Sequence, residues 1–222
     1  MKVIVYVEGP SDKLAMEQLL DPLLFRASEA GVMITFVPIS PGKGRGNSKR
    51  ELMFKTPPKA VNILCDDLEA VVITLPDLYP GNAGGLPHET FPELEKQIQA
   101  LFKQALANRR VDDERIRQRF WVFCFKHDLE ALVLAAEEQL ASRLGVASVA
   151  CAWIKPVEDQ DHNHPPKRIV EQLFLGHGDR YQDTIDAPLI LGASNYVTIA
   201  ERCPQCFKPF VEYLESLTRI NV

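Results

Sequence analysis

Long apolar runs are missing from this chain: nothing approaches the roughly 18 consecutive apolar residues of a membrane span. The apolar start ends at Glu8, too soon for the hydrophobic region of a secretory signal. Cysteine is scarce: five residues, an odd number in irregular positions, fit a reducing compartment better than a disulfide framework. Positive charge is not in excess either. A net charge of −5 argues against a protein that coats nucleic acid nonspecifically. It leaves room for a local basic groove or for a metal site, whose own carboxylates add negative charge. Internal repeats and low-complexity tracts are absent. These absences lead us to expect a soluble, cytoplasmic protein with no membrane partner.

The 222 residues, 46% hydrophobic and 25% charged, have an ordinary globular composition. Val3 to Val7 is a β-branched and aromatic run of strand length, closed by Gly9-Pro10 and followed by Ser11, a natural helix N-cap. Apolar residues from Leu14 to Leu24 then predict one amphipathic helix, and Val32 to Pro38 a second strand, giving a right-handed βαβ unit. A helix over Lys59–Leu68, a strand over Glu69–Pro76, a helix over Glu93–Ala107 and an apolar strand over Arg119–Phe125 follow. A long helix is expected from Lys126, and Leu191–Ser194 reads as a helix entry. The expected architecture is α/β: a central, mostly parallel sheet flanked by helices in residues 1–150, then a helical extension, 151–222, packed on the same core.

Chemistry gathers at strand ends. Glu8 closes the first strand and Asp77 the third, so a parallel sheet would bring both acids to the edge where open α/β sheets bind ligands. Two strands ending in acid at one edge is a common way to assemble a divalent metal site. Asp12 falls in the first helical turn, where it also complements the helix dipole. His127 and Glu130, three apart after the fourth strand, would share a helix face and could supply ligands or a proton carrier; capping by Asp128 and Glu130 explains the same residues equally well. Ser40–Arg50, with glycines at 42, 44 and 46, carries Lys43 and Arg45 and suits phosphate contact without matching a P-loop. Residues 80–92 read as a lid or surface loop. Lys167 and Arg168 stand at a helix start, against the macrodipole, which hints at an anion nearby. Cys203-Pro-Gln-Cys206 has no second pair to complete a zinc site, and Phe207, Phe210, Val211 and Leu214 place it on a packed helix.

Val7-Glu-Gly-Pro-Ser-Asp12 resembles the opening motif of the Toprim domain of primases, topoisomerases and overcoming-lysogenization-defect nucleases. Further stretches, Val72–Pro80, Lys126–Val133, Pro165–Ile169 and Ile199–Phe210, together resemble one bacterial family of unassigned function with a Toprim-like fold, in order along nearly the whole chain. The resemblance implies a Toprim-like sheet, with Glu8 as metal ligand or general base and Asp12 as a further ligand. At the third strand, Toprim proteins carry Asp-x-Asp; here Asp77-Leu78-Tyr79 lacks the second acid.

The leading expectation is Mg²⁺- or Mn²⁺-dependent phosphodiester processing, a nuclease, in a defence-type setting with an ATPase partner protein. Glu8, Asp77 and Glu130 would be catalytic, Glu8, Asp12 and Asp77 would hold metal, and Lys43, Arg45, Lys167 and Arg168 would position nucleic acid. The alternative is a non-catalytic module binding a partner protein or nucleotide; phosphohydrolysis of a small molecule is a third.

Overall fold

The computed structural model describes residues 1–39, 48–81, 85–150 and 153–219. Strand β1 (Lys2–Val7) is buried on both faces: Val3, Val5 and Val7 enter one core, Ile4 and Tyr6 the other. That is the signature of a central strand, and it explains why the run is continuously apolar rather than alternating. The helices α1 (Pro10–Leu19) and α2 (Asp21–Glu29) return the chain to β2 (Met33–Pro38), which pairs parallel with β1. Helix α3 (Ser48–Asp66) then crosses to β3 (Ala70–Thr74), on the other side of β1. Helices α4 (Phe91–Asn108) and α5 (Glu114–Arg117) lead to the edge strand β4 (Phe120–Val122), also parallel. The sheet order is β2-β1-β3-β4. Its direction of winding reverses between β1 and β3, so the switch point of the sheet lies where Glu8 and Asp77 end their strands.

The remaining described helices are α6 (Glu130–Ala135), α7 (Glu137–Arg143), α8 (Pro166–Gly176), α9 (Asp186–Gly192), α10 (Tyr196–Arg202) and α11 (Phe207–Arg219). They cover the Val3/Val5/Val7 face together with α1 and α2, while α3, α4 and α5 cover the opposite face. Phe174, Phe207, Phe210 and Leu214 thus sit in the same apolar cluster as Val5, Met16 and Phe36. Glu158, in a short 3-10 turn (Val157–Asp159), fastens the end of the chain: its carboxylate accepts from the backbone N–H groups of Gln205, Cys206 and Phe207. Among the described residues no helix is long and apolar enough to cross a membrane.

The parallel α/β sheet flanked by helices is as expected; several boundaries are not. The first helix is two, broken at Leu20 with Pro22 in the opening turn of α2. Helix α3 begins well before Lys59 and runs through Pro57-Pro58. Each interior proline costs about 3 kcal/mol, but Leu52, Met53, Val61 and Leu64 are fully buried along the helix, each worth about 1.5–3 kcal/mol, and burial wins. The long helix after Lys126 is divided into α6 and α7 at Ala136. Leu191–Ser194 is a helix exit, and the next entry is capped by the side chain of Asn195. Cys203 and Cys206 lie in the turn between α10 and α11 rather than on a helix, with the Cys206 thiol 3.4 Å from that of Cys124.

Candidate functional site

At the switch point six acidic side chains, Glu8, Asp12, Asp77, Asp128, Glu130 and Asp183, line one cavity of about 190 Å³ together with Ser11, Ser48 and Lys167. They arrive from four segments: Glu8 and Asp12 from the β1–α1 junction, Asp77 from the end of β3, Asp128 and Glu130 from the entry to α6, and Asp183 from the stretch before α9. Glu8 follows β1, and its carboxylate is held by the N–H of Asp77 (3.2 Å) and the hydroxyl of Ser48 (3.2 Å). Asp12 turns back to accept the N–H of Gly9 (2.9 Å), closing the first turn of α1. Asp77 follows β3, where a backbone bridge to Phe125 extends the pairing with the fourth strand past β4. Asp128 accepts the N–H of Lys167 (3.3 Å) through one oxygen; its other oxygen is buried without a partner. The Lys167 ammonium reaches Glu130 at 3.5 Å and Asp183 at 3.3 Å.

So many carboxylates in so little water raise one another's pKa. Burial, then the charge of Glu8, pushes Asp12 up to about 7. Burial, then Glu130, does the same to Asp128, against the pull of the Lys167 N–H. Asp77 is raised well above the carboxylate range by burial, Glu8 and Asp12. Burial also raises Glu8, opposed by the Asp77 N–H and by the charge of Lys49, and raises Glu130, opposed by Lys167. For Lys167 itself, burial lowers the pKa but Glu130 and Asp183 outweigh it, leaving it above the usual lysine range. Beneath the cavity, Lys49 is buried and donates to the carbonyls of Leu78 (2.9 Å) and Pro80 (2.8 Å).

This donor set fits a hard divalent cation. It is all oxygen, its charges are under-compensated by the cations present, and Asp128, one of its lining acids, keeps a buried oxygen without a hydrogen-bond partner. Among the described residues no three His, Cys, Asp or Glu side chains already converge at the spacing of a closed shell; the acids surround a space instead of meeting at a point.

Beside the cavity, and sharing Asp128 and Lys167 with it, runs a larger groove of about 1120 Å³ walled by Tyr79, His127, His162 and Arg168 among others. The expected site residues therefore separate. Glu8, Asp12, Asp77, Glu130 and Lys167 come together in the cavity; His127 and Arg168 belong to the groove. His127 does not share a helix face with Glu130, because α6 starts only at Glu130 and His127 lies in the bend before it. It is buried, burial lowers its pKa to about 4, and its Nε2 stands 3.3 Å from the Glu158 carbonyl. Lys43 and Arg45 lie outside the described residues. Residues 85–90 are pinned rather than lid-like in their described part: the His88 ring is buried between the carbonyls of Leu86 and Leu78. Sequence reasoning missed Asp128 and Asp183 as cavity walls and Lys49 as their support. Asp128 gave a signal that its fitness as a helix cap concealed; Asp183 gave none.

Residues 7–215 match the family model of a domain of unknown function, DUF4276. The chain belongs to the DUF4276 family. No curated protein matches it. Among solved structures, this DUF4276 chain is similar to the C-terminal region of the Burkholderia pseudomallei OLD protein, at 14% identity and a TM-score of 0.49, over 97% of this chain and 98% of that one. It is also similar to the C-terminal region of the Xanthomonas campestris pv. campestris OLD protein, at 12% identity and a TM-score of 0.44, over 99% and 96%.

Proposed function

We propose that the chain is a divalent-metal-dependent phosphodiester-processing protein, a nuclease, using Mg²⁺ or Mn²⁺. The observation that carries this reading is the six-acid cavity at the switch point, with its mutually raised carboxylates and one orphaned oxygen. Glu8, Asp12 and Asp77 would hold the ion from the sheet side, with Asp128 and Glu130 facing them. When bound, the ion would supply a lowered water pKa and charge stabilisation at phosphate. The chain's own part is to orient and to move protons. Ser48 and the Asp77 N–H fix the Glu8 carboxylate, leaving it placed as a general base. Lys167 neutralises Glu130 and Asp183 and sits where a phosphate oxygen would enter from the groove. Arg168 offers a backbone contact that positions without reading sequence.

One feature favours a non-catalytic module that binds a partner protein or nucleotide: Tyr79 stands in place of a second acid, and its hydroxyl donates to the Glu89 carbonyl (2.8 Å). Asp128 and Asp183 supply further carboxylates from other segments, which weakens that objection. The ATPase partner follows from the motif resemblance alone, and nothing in the cavity requires it.

Calorimetric titration of Mn²⁺ into wild type, Glu8→Ala and Asp77→Ala tests the reading. Saturable binding that both substitutions remove supports it. Binding absent from wild type at millimolar Mn²⁺, or indifferent to both substitutions, sinks it for the isolated chain.

A further inference from the structure

The groove beside the cavity has an organisation of its own. Tyr79 stands two residues past Asp77 and His127 one residue before Asp128, so the two strand ends that aim carboxylates into the cavity also aim rings into the groove. His162 joins them from the turn after Val157–Asp159. The ring centroids of Tyr79 and His162 are 4.1 Å apart, those of Tyr79 and His127 5.6 Å, and those of His127 and His162 5.5 Å. The Tyr79 hydroxyl donates to the Glu89 carbonyl and His127 is buried, which holds two of the three rings in place, while His162 is exposed.

Size and charge narrow the occupant. The groove, about 1120 Å³, exceeds the roughly 300–1,000 Å³ of ordinary small-molecule sites, as a site for part of a polymer would. Arg168 makes one long hydrogen bond, 3.5 Å to the Asn163 carbonyl, and no ion pair among the described residues. Its guanidinium is therefore available at the groove wall, in the first turn of α8, where it opposes the helix dipole. Glu89 and Glu171 also line the groove, which makes it a poor track for a duplex, whose paired backbones call for many cations. Rings with a free guanidinium, beside an acidic metal-type cavity, suit a single unstacked nucleotide.

We propose that the groove binds an unpaired nucleotide of single-stranded nucleic acid, the base against Tyr79 and His162 and the phosphate at the Asp128–Lys167 edge shared with the cavity. This names the substrate class of the proposed nuclease and rests on that reading for the direction in which the phosphate points.

The test is equilibrium binding of a short single strand carrying one fluorescent adenine analogue, read by quenching without added metal, beside a blunt hairpin of the same sequence. The full chain is compared with Tyr79→Leu, His162→Ala and Tyr79→Phe. The single strand should be quenched and bind about tenfold or more tighter than the hairpin. Tyr79→Leu and His162→Ala should each weaken it about tenfold, while Tyr79→Phe, which keeps the ring, restores it. Mn²⁺ calorimetry on the same variants should match wild type, separating failure of the groove from failure of the cavity. Equal binding of the hairpin, or unchanged affinity in Tyr79→Leu and His162→Ala, overturns the proposal. Quenching in a wild-type protein that binds no Mn²⁺ supports the groove and overturns the metal reading instead.

Discussion

The acidic cavity and the ring-walled groove are neighbours built on opposite physical terms. The cavity of about 190 Å³ concentrates like charges where water is scarce, and Asp12, Asp77, Asp128 and Glu130 are each harder to ionise for the burial and the acids around them. The groove of about 1120 Å³ holds its rings with ordinary packing and carries both signs of charge. Burying a carboxylate among carboxylates is costly, and folds do not retain it for stability. Edge-on and tilted ring contacts cost little. An unfavourable cluster beside a favourable surface, joined at Asp128 and Lys167, is what a site that must bind a cation and then a neutral ring would contain.

The sharpest way to break the comparison is to remove one region and see whether the other notices. Glu8→Ala should weaken Mn²⁺ binding beyond the roughly 100-fold typical of disturbing a supporting residue, while Tyr79→Leu should leave the Mn²⁺ isotherm within about twofold. Equal loss in both would mean that cavity and groove are one site.

Lys49 should be the exception, because it supports both. Its ammonium satisfies the carbonyls of Leu78 and Pro80, which flank Tyr79, and its charge opposes the raised pKa of Glu8 and Asp77. Lys49→Met leaves two carbonyls short of a donor and the acids short of a cation, so a loss of about 2–3 kcal/mol is expected. For a chain of this length that is a fall in melting temperature of about 4–12 °C, measured by calorimetric unfolding without metal. A melting temperature equal to wild type would show that Lys49 carries neither.

How much of this was legible follows the same division. The strands and their terminal acids were readable because a buried parallel strand is continuously apolar, which makes Glu8 and Asp77 conspicuous at its end. Helix α3 was half hidden because two adjacent prolines are a strong local break signal, and only the tertiary stripe from Leu52 to Leu64 overrides it. Asp128 looked like a helix cap, and the turn at His127–Leu129 that aims it into the cavity leaves no periodic trace. Asp183 lies in a segment without pattern, brought to the site by the packing of α9 on α1 and α6. The groove was invisible for a simpler reason: Tyr79, His127 and His162 come from three separate stretches. What made Tyr79 look like a defect, the missing second acid, is the same substitution that supplies the ring.

The cavity and the groove should also answer pH with opposite signs. The pKa of Asp12 rises to about 7 on folding, so between about pH 4 and 7 the folded state holds more protons than the unfolded one. Stability without metal then falls as pH rises through that window. Asp12→Asn should flatten the fall and stabilise the metal-free protein by about 1–2 kcal/mol above pH 7, and Mn²⁺ should erase most of the difference from wild type if the ion compensates the remaining acids.

His127 works the other way. Burial lowers its pKa to about 4, so between about pH 4 and 6.5 the unfolded chain holds the extra proton, and stability is lost as pH falls through that range. The slope from this one group is at most about 1.4 kcal/mol per pH unit, and it is partly masked by the opposite slopes of Asp12 and Asp128. It emerges as a difference: in an Asp12→Asn background, His127→Gln should remove the acid-side decline in melting temperature between about pH 6.5 and 4. A decline that persists undiminished in the double variant would place its origin outside the groove. An imidazole held neutral is an uncharged, stackable ring at the pH where the carboxylates beside it are ionised, and that is the condition under which one short edge can serve a cation on one side and a base on the other.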